Sequence, residues 1–392
     1  MIEALAWTTA SAVSLPFIIL AVEAFFGLTP IRATGKAPVL DGRDIAILIP
    51  AHNEASGLAA YLSALQNVTP DQARLLLVAD NCTDDTATVA RSSGVDMIER
   101  HDVDRRGKAY ALAFGRDTLA ASPPETVVII DADCLPDNGA IQLLADTSWA
   151  MQRPVQASNL LIANLSADPR VQMSNFAFWF KNHIRTRGMM RISGASLLLG
   201  TGMAIPWSLF KGADLETSAL AEDAALGIDL MKAGHAPIFC EAARVTSPAA
   251  SKADTLTQRT RWEHGFIDMA TRHAVPLVLS GLKHGRIDLF WTGLHLLVPA
   301  LALLAVVGLV SLTALMGVAF LTKVAAPAIA LGSIILAAFM LVGLAWLKEG
   351  RGVMSGRAAL SLPLYILWKL PVYLRLFGNK ETSWIRTKRP GE

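Results

Sequence analysis

Three long apolar runs constrain this chain more tightly than any other feature of its sequence. Residues 4–22 (ALAWTTASAVSLPFIILAV), 289–321 and 324–346 (VAAPAIALGSIILAAFMLVGLAW) contain no acidic side chain, lysine or arginine. Each reaches the roughly 20 residues needed to cross a bilayer. In hydrocarbon every backbone N–H and C=O has to be satisfied within its own segment, so such runs fold as helices. The 289–321 run is long enough for a span with an interfacial lead-in.

Basic residues set the expected orientation. Arg32, Lys36 and Arg43 follow the first run and KEGRGVMSGR (348–357) follows the third, whereas the link between the second and third carries only Lys323. The positive-inside bias puts the amino terminus outside and the next domain in the cytoplasm, in a multi-pass protein of the inner membrane. The first run reads as an anchor, because neither a basic leading region nor a small-residue cleavage site accompanies it as in a signal peptide. LSLPLYILWKLPVYLRLF (360–377), with two prolines, Lys369 and Arg375, reads as an amphipathic segment in the cytoplasmic interface, a further crossing being the alternative. The chain thus divides into an anchor (1–27), a linker (28–42), a globular domain (43–275), membrane helices (276–357) and an interfacial segment with a basic tail (358–392).

The chain's 392 residues are 53% apolar, and the excess sits at the two ends; the middle has ordinary globular composition. A net charge of +2, with no basic stripe interleaved by aromatics, excludes a nucleic-acid binder. Cys82, Cys134 and Cys240 have no CxxC spacing, as expected of reduced cytosolic thiols without a structural zinc.

From residue 43 the pattern changes. IAILIP (45–50), LLLVAD (75–80) and VVIIDAD (127–133) are short β-branched runs of the kind buried on both faces. DDTATVARSSG and GKAYALAFGRDTLA carry apolar residues at helical spacing between them. Such alternation predicts an α/β domain with a mainly parallel sheet, and ligands bind such sheets at the carboxyl ends of the strands. Here those ends read HNE, DNCTDD and DADCLPDN.

Asp131 and Asp133 supply hard oxygen ligands suited to Mg2+ or Mn2+ with substrate phosphates; the plain alternative is one helix cap and one solvated acid. Asp80, and Glu54 from the first strand, can accept hydrogen bonds from a nucleobase or ribose. Lys108 opens a helix, where charge and free N–H groups favour phosphate, although an exposed lysine would look the same. Glu222 and Asp223 precede a helix ending near Gly234; they serve as an acidic cap, and Asp223 equally as a general base. Gly200 and Gly202 flank Thr201 in LLLGTGMAIP, which lacks the third glycine of a dinucleotide fingerprint and instead lets backbone approach a ligand. In QRTRW (258–262), a helix puts Gln258, Arg261 and Trp262 on one face, offering an amide and a guanidinium for a diphosphate and an indole for a sugar ring. NFAFWFKNHIRTRGMMR (175–191) interleaves aromatics with Lys181, Arg185, Arg187 and Arg191, as an interfacial helix does.

Taken in order, PAHNE, ADNCTDDT, DAD, ED and QRTRW resemble the membrane-bound family 2 glycosyltransferases, which include the cellulose, hyaluronan and poly-N-acetylglucosamine synthases. The resemblance covers about residues 43–275. It implies a GT-A fold flanked by transmembrane helices and an inverting, β-bond-forming transfer from a nucleotide-diphospho-sugar, by analogy a UDP-sugar. By it, Asp80 contacts the nucleobase, Asp131 and Asp133 hold the nucleotide and its Mg2+ or Mn2+, and Asp133 coordinates most directly. Asp223 matches the general base, Gln258, Arg261 and Trp262 lie near the diphosphate and acceptor, and Gly200 to Gly202 border the acceptor. With fewer spans than the large synthases, and GTGM where some carry a bulkier cysteine-containing motif, addition of one sugar or a few to a lipid-linked or polysaccharide acceptor stands beside processive synthesis.

Two rival functions follow from the same sequence. A polyprenyl-phosphate glycosyltransferase has an acceptor that is already an anion, which leaves Asp223 and QRTRW without purpose. A transporter subunit or non-catalytic scaffold with a nucleotide-binding domain requires an intramembrane ion path or lost acidic positions; the spans offer only Glu23, and the acids are intact.

Overall fold

The apolar runs of the middle region become a sheet whose strands are covered on both faces. In the computed structural model, which describes residues 1–31, 44–216, 221–249 and 252–375, β1 (Ile45–Ala51) and β2 (Ala73–Asp80) pair in parallel. β3 (Asp96–Arg100) extends the sheet beyond β2, and β4 (Thr126–Ile129) lies on the other side of β1, both parallel. β5 (Leu135–Pro136), β6 (Val155–Leu161), β7 (Met203–Pro206) and β8 (Ile238–Ser247) complete the order β3-β2-β1-β4-β7-β6-β8-β5. Only β7 and β5 run against their neighbours among the described strands. Leu48, Val78, Val127 and Ile129 are buried with Leu112 of the Lys108–Leu119 helix and Leu226 of the Glu222–Lys232 helix in one apolar cluster.

The sequence pattern predicts β1, β2 and β4 but not their neighbours. Strand β4 ends at Ile129, so the DAD carboxylates stand in the loop beyond it, not in the strand. β3 (DMIER) and β6 (VQASNLL) are too polar to register as buried runs.

Among the described residues, those within 30–162 and 194–249 make up this sheet unit, and those within 1–29, 163–193 and 252–375 form a second, helical unit. Three of its helices, Ile2–Gly27, Leu301–Thr322 and Ala326–Lys348, are long and apolar enough to cross a membrane. The 289–321 run is broken as its length suggests, into Ile287–Leu296 and Leu301–Thr322. The other helices of this unit include Pro169–Trp179, Thr186–Ser193, Lys252–His284 and Leu362–Arg375. Residues 376–377 of the expected interfacial segment, and the basic tail, lie outside the described residues.

The 175–191 stretch is helical, with a π-helical turn at Phe180–Arg185, but two of its arginines are buried instead of lying exposed along an interface. Arg185 Nε donates to Glu23 Oε2 at 2.7 Å, and His295 Nδ1 and Trp291 Nε1 approach Glu23 Oε1 at 2.8 and 3.2 Å. Arg187 pairs with Glu349 at 2.9 Å and donates to the Gly27 carbonyl at 2.7 Å. Lys348 donates to Leu28 O at 2.8 Å, and Arg191 to Phe26 O. Three cations thus satisfy carbonyls at the end of the first apolar helix, where four C=O groups lack intrahelical partners.

Candidate active site

The loops after β1 and β2 are tied to one another by their own polar residues, and the loop after β4 is held by Thr201 and Tyr61. Asn53 after β1 and Asn81 after β2 adopt φ of 54° and 51°, the left-handed region that asparagine tolerates better than most residues. Asn53 Oδ1 accepts from Thr83 N at 2.7 Å, Glu54 N donates to Thr86 Oγ1 at 2.7 Å, and His52 Nδ1 donates to the Asp80 carbonyl at 2.7 Å. After β4, Asp131 N donates to Thr201 Oγ1 at 3.1 Å and the Asp131 carbonyl accepts from Tyr61 at 3.0 Å. Each strand end is therefore a braced loop.

Asp80 ends β2 and is buried. Its Oδ1 accepts from Arg100 Nη1 at 2.6 Å, and Arg100 also reaches Asp102 at 3.1 Å and lies over the Tyr110 ring. Arg100 closes β3, a strand the sequence pattern does not announce, so its pairing with Asp80 is legible only once β2 and β3 are in register.

Lys108 is the first residue of its helix, as expected, and its ammonium reaches both the Asp131 carboxylate and the Gly200 carbonyl. Burial works against that charge, but Asp131, Glu222 and Asp223 outweigh it and hold the Lys108 pKa above the usual lysine range. Glu222 and Asp223 form the first turn of the Glu222–Lys232 helix itself. Burial first, and then the Asp223 charge, raises Glu222 to about 7. Gly200 and Gly202 have φ of 89° and 66°. A Cβ on Gly200 would stand 3.2 Å from Asp223 Oδ2 and 3.6 Å from Lys108 Nζ; one on Gly202 would stand 2.7 Å from Ala157 Cβ. Gly200 thus brings bare backbone against the carboxylate and the ammonium, in a left-handed conformation that disfavours any side chain.

Asp131, Asp133 and Cys134 offer donor atoms within 4.8 Å of one another. Burial, then the charges of Asp133 and Asp131, pushes the Cys134 thiol well up, so it stays protonated and is no ligand for a hard cation. The two carboxylates remain, and a half-exposed oxygen pair that leaves open positions for phosphate fits Mg2+ or Mn2+. Lys108, Met203, Glu222 and Asp223 also line a shallow pocket.

The sheet unit therefore brings together Lys108, Asp131, Asp133, Gly200, Thr201, Gly202 and Asp223, with Asp80 and Glu54 at the neighbouring strand ends. Gln258, Arg261 and Trp262 lie in the helical unit, on the Lys252–His284 helix. There Trp262 packs on Phe178 with ring centroids 5.3 Å apart, and the Arg259 guanidinium lies 4.7 Å from the Trp262 centroid. Arg259 donates to Ser174 Oγ at 2.6 Å, and burial lowers its pKa to about 10. Arg100 carries no sequence signal of its own, and Arg259, although inside QRTRW, is a position to which the motif assigns no role.

Comparison with known proteins gives one consistent result. The family described as glycosyltransferase like family 2 matches residues 42–265, more than half of the chain. Over 121 residues the chain is 36% identical to an uncharacterized glycosyltransferase of Mycobacterium tuberculosis, a match covering 29% of this chain and 51% of that protein. The chain thus spans about half the length of the curated mycobacterial relatives it matches. A Bacillus subtilis protein named probable glycosyltransferase YdaM is 25% identical over 271 residues, 63% of this chain and 61% of its own. Among solved structures, the mannosyltransferase PcManGT of Pyrobaculum calidifontis, in complex with GDP-Man and Mn2+, superposes with a TM-score of 0.59 over 97% of this chain and all of that one, at 17% identity. That last likeness is one of fold.

Proposed function

The chain belongs to the family 2 glycosyltransferases, and on that premise we propose that it moves a sugar from a nucleotide-diphospho-sugar to a hydroxyl of a polysaccharide or lipid-linked glycan, inverting the anomeric carbon. What supports this reading above all is the meeting of Lys108, Asp131, Gly200 and Asp223: an ammonium, a DxD carboxylate and a second carboxylate share one patch of bare backbone.

Asp131 and Asp133 would hold the divalent cation, Mg2+ or Mn2+, which would supply positive charge to offset that of the leaving diphosphate. Lys108, kept charged by the acids around it, donates to the phosphates. Asp80, fixed by Arg100, accepts from the nucleobase. Asp223 takes the proton from the acceptor oxygen as that oxygen forms its bond to the anomeric carbon and the diphosphate leaves from the opposite face. In-line attack converts an α-linked donor into a β-linked product. By the family resemblance Arg261 and Gln258 serve the leaving diphosphate and Trp262 the acceptor. The donor nucleotide is read as UDP on the same ground. The basic-residue asymmetry supports a multi-pass protein of the cytoplasmic membrane with this domain, residues 43–275, on the cytoplasmic side.

The test is turnover by purified full-length protein in nanodiscs with Mg2+ or Mn2+ and membrane lipid extract as acceptor, screening UDP-, GDP- and dTDP-sugars for nucleotide release. Release from one donor that needs the cation and vanishes in Asp223→Asn supports the reading. Release that persists in Asp223→Asn refutes the assignment of the base.

A further inference from the structure

Strand β6 is polar where a strand held between two neighbours is usually apolar. It pairs with both β7 and β8, yet its sequence is VQASNLL, with Gln156 and Asn159 buried. Both side chains reach the stretch 195–202, which leads into β7 and belongs to no strand or helix itself. Buried backbone outside regular structure has no ladder to satisfy its N–H and C=O groups. Here the side chains of β6 do so. Gln156 Oε1 accepts from Leu199 N at 2.7 Å, and its Nε2 donates to Thr201 O and Ala157 O, both at 2.9 Å. Asn159 Nδ2 donates to Leu199 O at 3.1 Å. The nitrogen of Gln156 faces two carbonyls and its oxygen an N–H, so both ends of the amide are used.

The stretch so fastened carries part of the site. Gln156 grips Leu199 and Thr201, the two chain neighbours of Gly200. The Gly200 carbonyl between them accepts from Lys108, and Thr201 Oγ1 accepts from Asp131 N at 3.1 Å. Gly202 is pinned next along, its N donating to Ile129 O at 2.9 Å and its carbonyl accepting from Ala157 N at 2.8 Å. One buried amide thus stands behind both the ammonium and the backbone of the DxD loop. Its chemistry is particular to glutamine: glutamate lacks the two N–H donors, asparagine is one methylene shorter, and methionine keeps the volume without either polar end.

We propose that Gln156, with Asn159 beside it, is a positioning residue of this site: it sets the Gly200 carbonyl and the Thr201 hydroxyl, and through them the Lys108 ammonium and Asp131. Its bearing on sugar transfer rests on the function proposed above, whereas the brace itself does not. Without the amide, buried backbone groups of the stretch lose their partners, and the loop has to move to regain them. A displacement of about 1 Å in groups aimed at a leaving phosphate costs on the order of 10^2-fold in rate.

The test compares wild type with Gln156→Met, both full length in nanodiscs. Amide hydrogen exchange, read by mass spectrometry without donor or metal, reports the brace. Peptides holding Leu199 and Asp131 should each exchange about tenfold faster in the variant, while β1 and β2 keep their protection. Faster exchange at Leu199 alone would make Gln156 a local clamp and overturn the proposal, as would no change at either. Turnover, read as nucleotide release, reports the consequence. Gln156→Met should lower kcat/KM about 10- to 100-fold, and by at least about threefold less in a Lys108→Met background, because the brace acts in part through that ammonium. An equal cost in both backgrounds would show a merely structural glutamine and overturn the proposal. Should Gln156→Met fail to fold, Asn159→Leu, which removes only the bond to the Leu199 carbonyl, carries the same two comparisons in the same direction. Absence of turnover by the wild type would refute the transferase reading alone, and the exchange result would still decide the brace.

Discussion

In the helical unit Glu23 is fully buried and meets Arg185, His295 and Trp291; in the sheet unit Asp131, Glu222 and Asp223 gather around Lys108, with Asp133 beside Asp131. The first group balances its charge within itself, as a permanently buried carboxylate must. The second crowds like charges at a partly open patch and leaves a carboxylate pair suited to a cation. Crowded, half-exposed acids at strand ends are organised for something that arrives, whereas matched and sealed ones hold helices together. Replacing an acid in one region should cost activity, and in the other stability.

The largest expected effect is on catalysis. Asp223→Asn should lower turnover by about 10^2- to 10^4-fold, the range of a lost general base, while the melting temperature in detergent stays at the wild-type value. A large fall in melting temperature instead would make Asp223 a structural cap and erase the contrast.

Next comes the opposite case. Glu23→Gln leaves Arg185 buried without its carboxylate and should destabilise the chain by about 3–5 kcal/mol, read as a lower melting temperature. Donor binding by the fraction still folded should be unchanged, and a selective loss of binding there would tie Glu23 to the site.

A smaller effect tests how Asp80 is positioned. Arg100→Met removes the guanidinium that fixes the carboxylate and should raise the donor KM about tenfold, close to 1.4 kcal/mol, with kcat little altered. Loss of kcat at constant KM would place Arg100 in the chemical step.

The smallest is a pH effect. Because Glu222 is raised from 4.5 to about 7, the folded chain keeps a proton that the unfolded chain has already released across that window. Stability at this position therefore falls as pH rises from 4.5 to about 7 and stays lower above it. Glu222→Gln, without added metal or nucleotide, should melt near the wild type at the acid end and above it by about 1–2 kcal/mol at alkaline pH. A difference independent of pH would show that Glu222 is not raised.

How much of this was legible in the sequence follows from what each feature depends on. β1, β2 and β4 are legible because burial on both faces demands continuous apolar runs, and the three helices long and apolar enough to cross a membrane because hydrocarbon demands the same over a longer stretch. The acids at the strand ends are legible from their position just past those runs. What stays hidden rests on pairing across the chain: Glu23 lies 162 residues from Arg185 and 272 from His295, and no local pattern joins them. Arg100 is hidden for the same reason. The buried Lys369 is the instructive miss, because a lysine in an amphipathic segment reads as its wet face until Glu263 is found beside it.

The most direct test of the central claim, that the strand-end acids form a cation-dependent nucleotide site, is calorimetric titration of UDP and of GDP into the full-length protein with Mn2+ and with EDTA, using wild type and Asp133→Asn. One nucleotide should bind the wild type at least about tenfold more tightly with Mn2+ than with EDTA, and Asp133→Asn should abolish that gain. For both nucleotides, equal affinity with Mn2+ and with EDTA in the wild type, or no binding at all, would contradict the account.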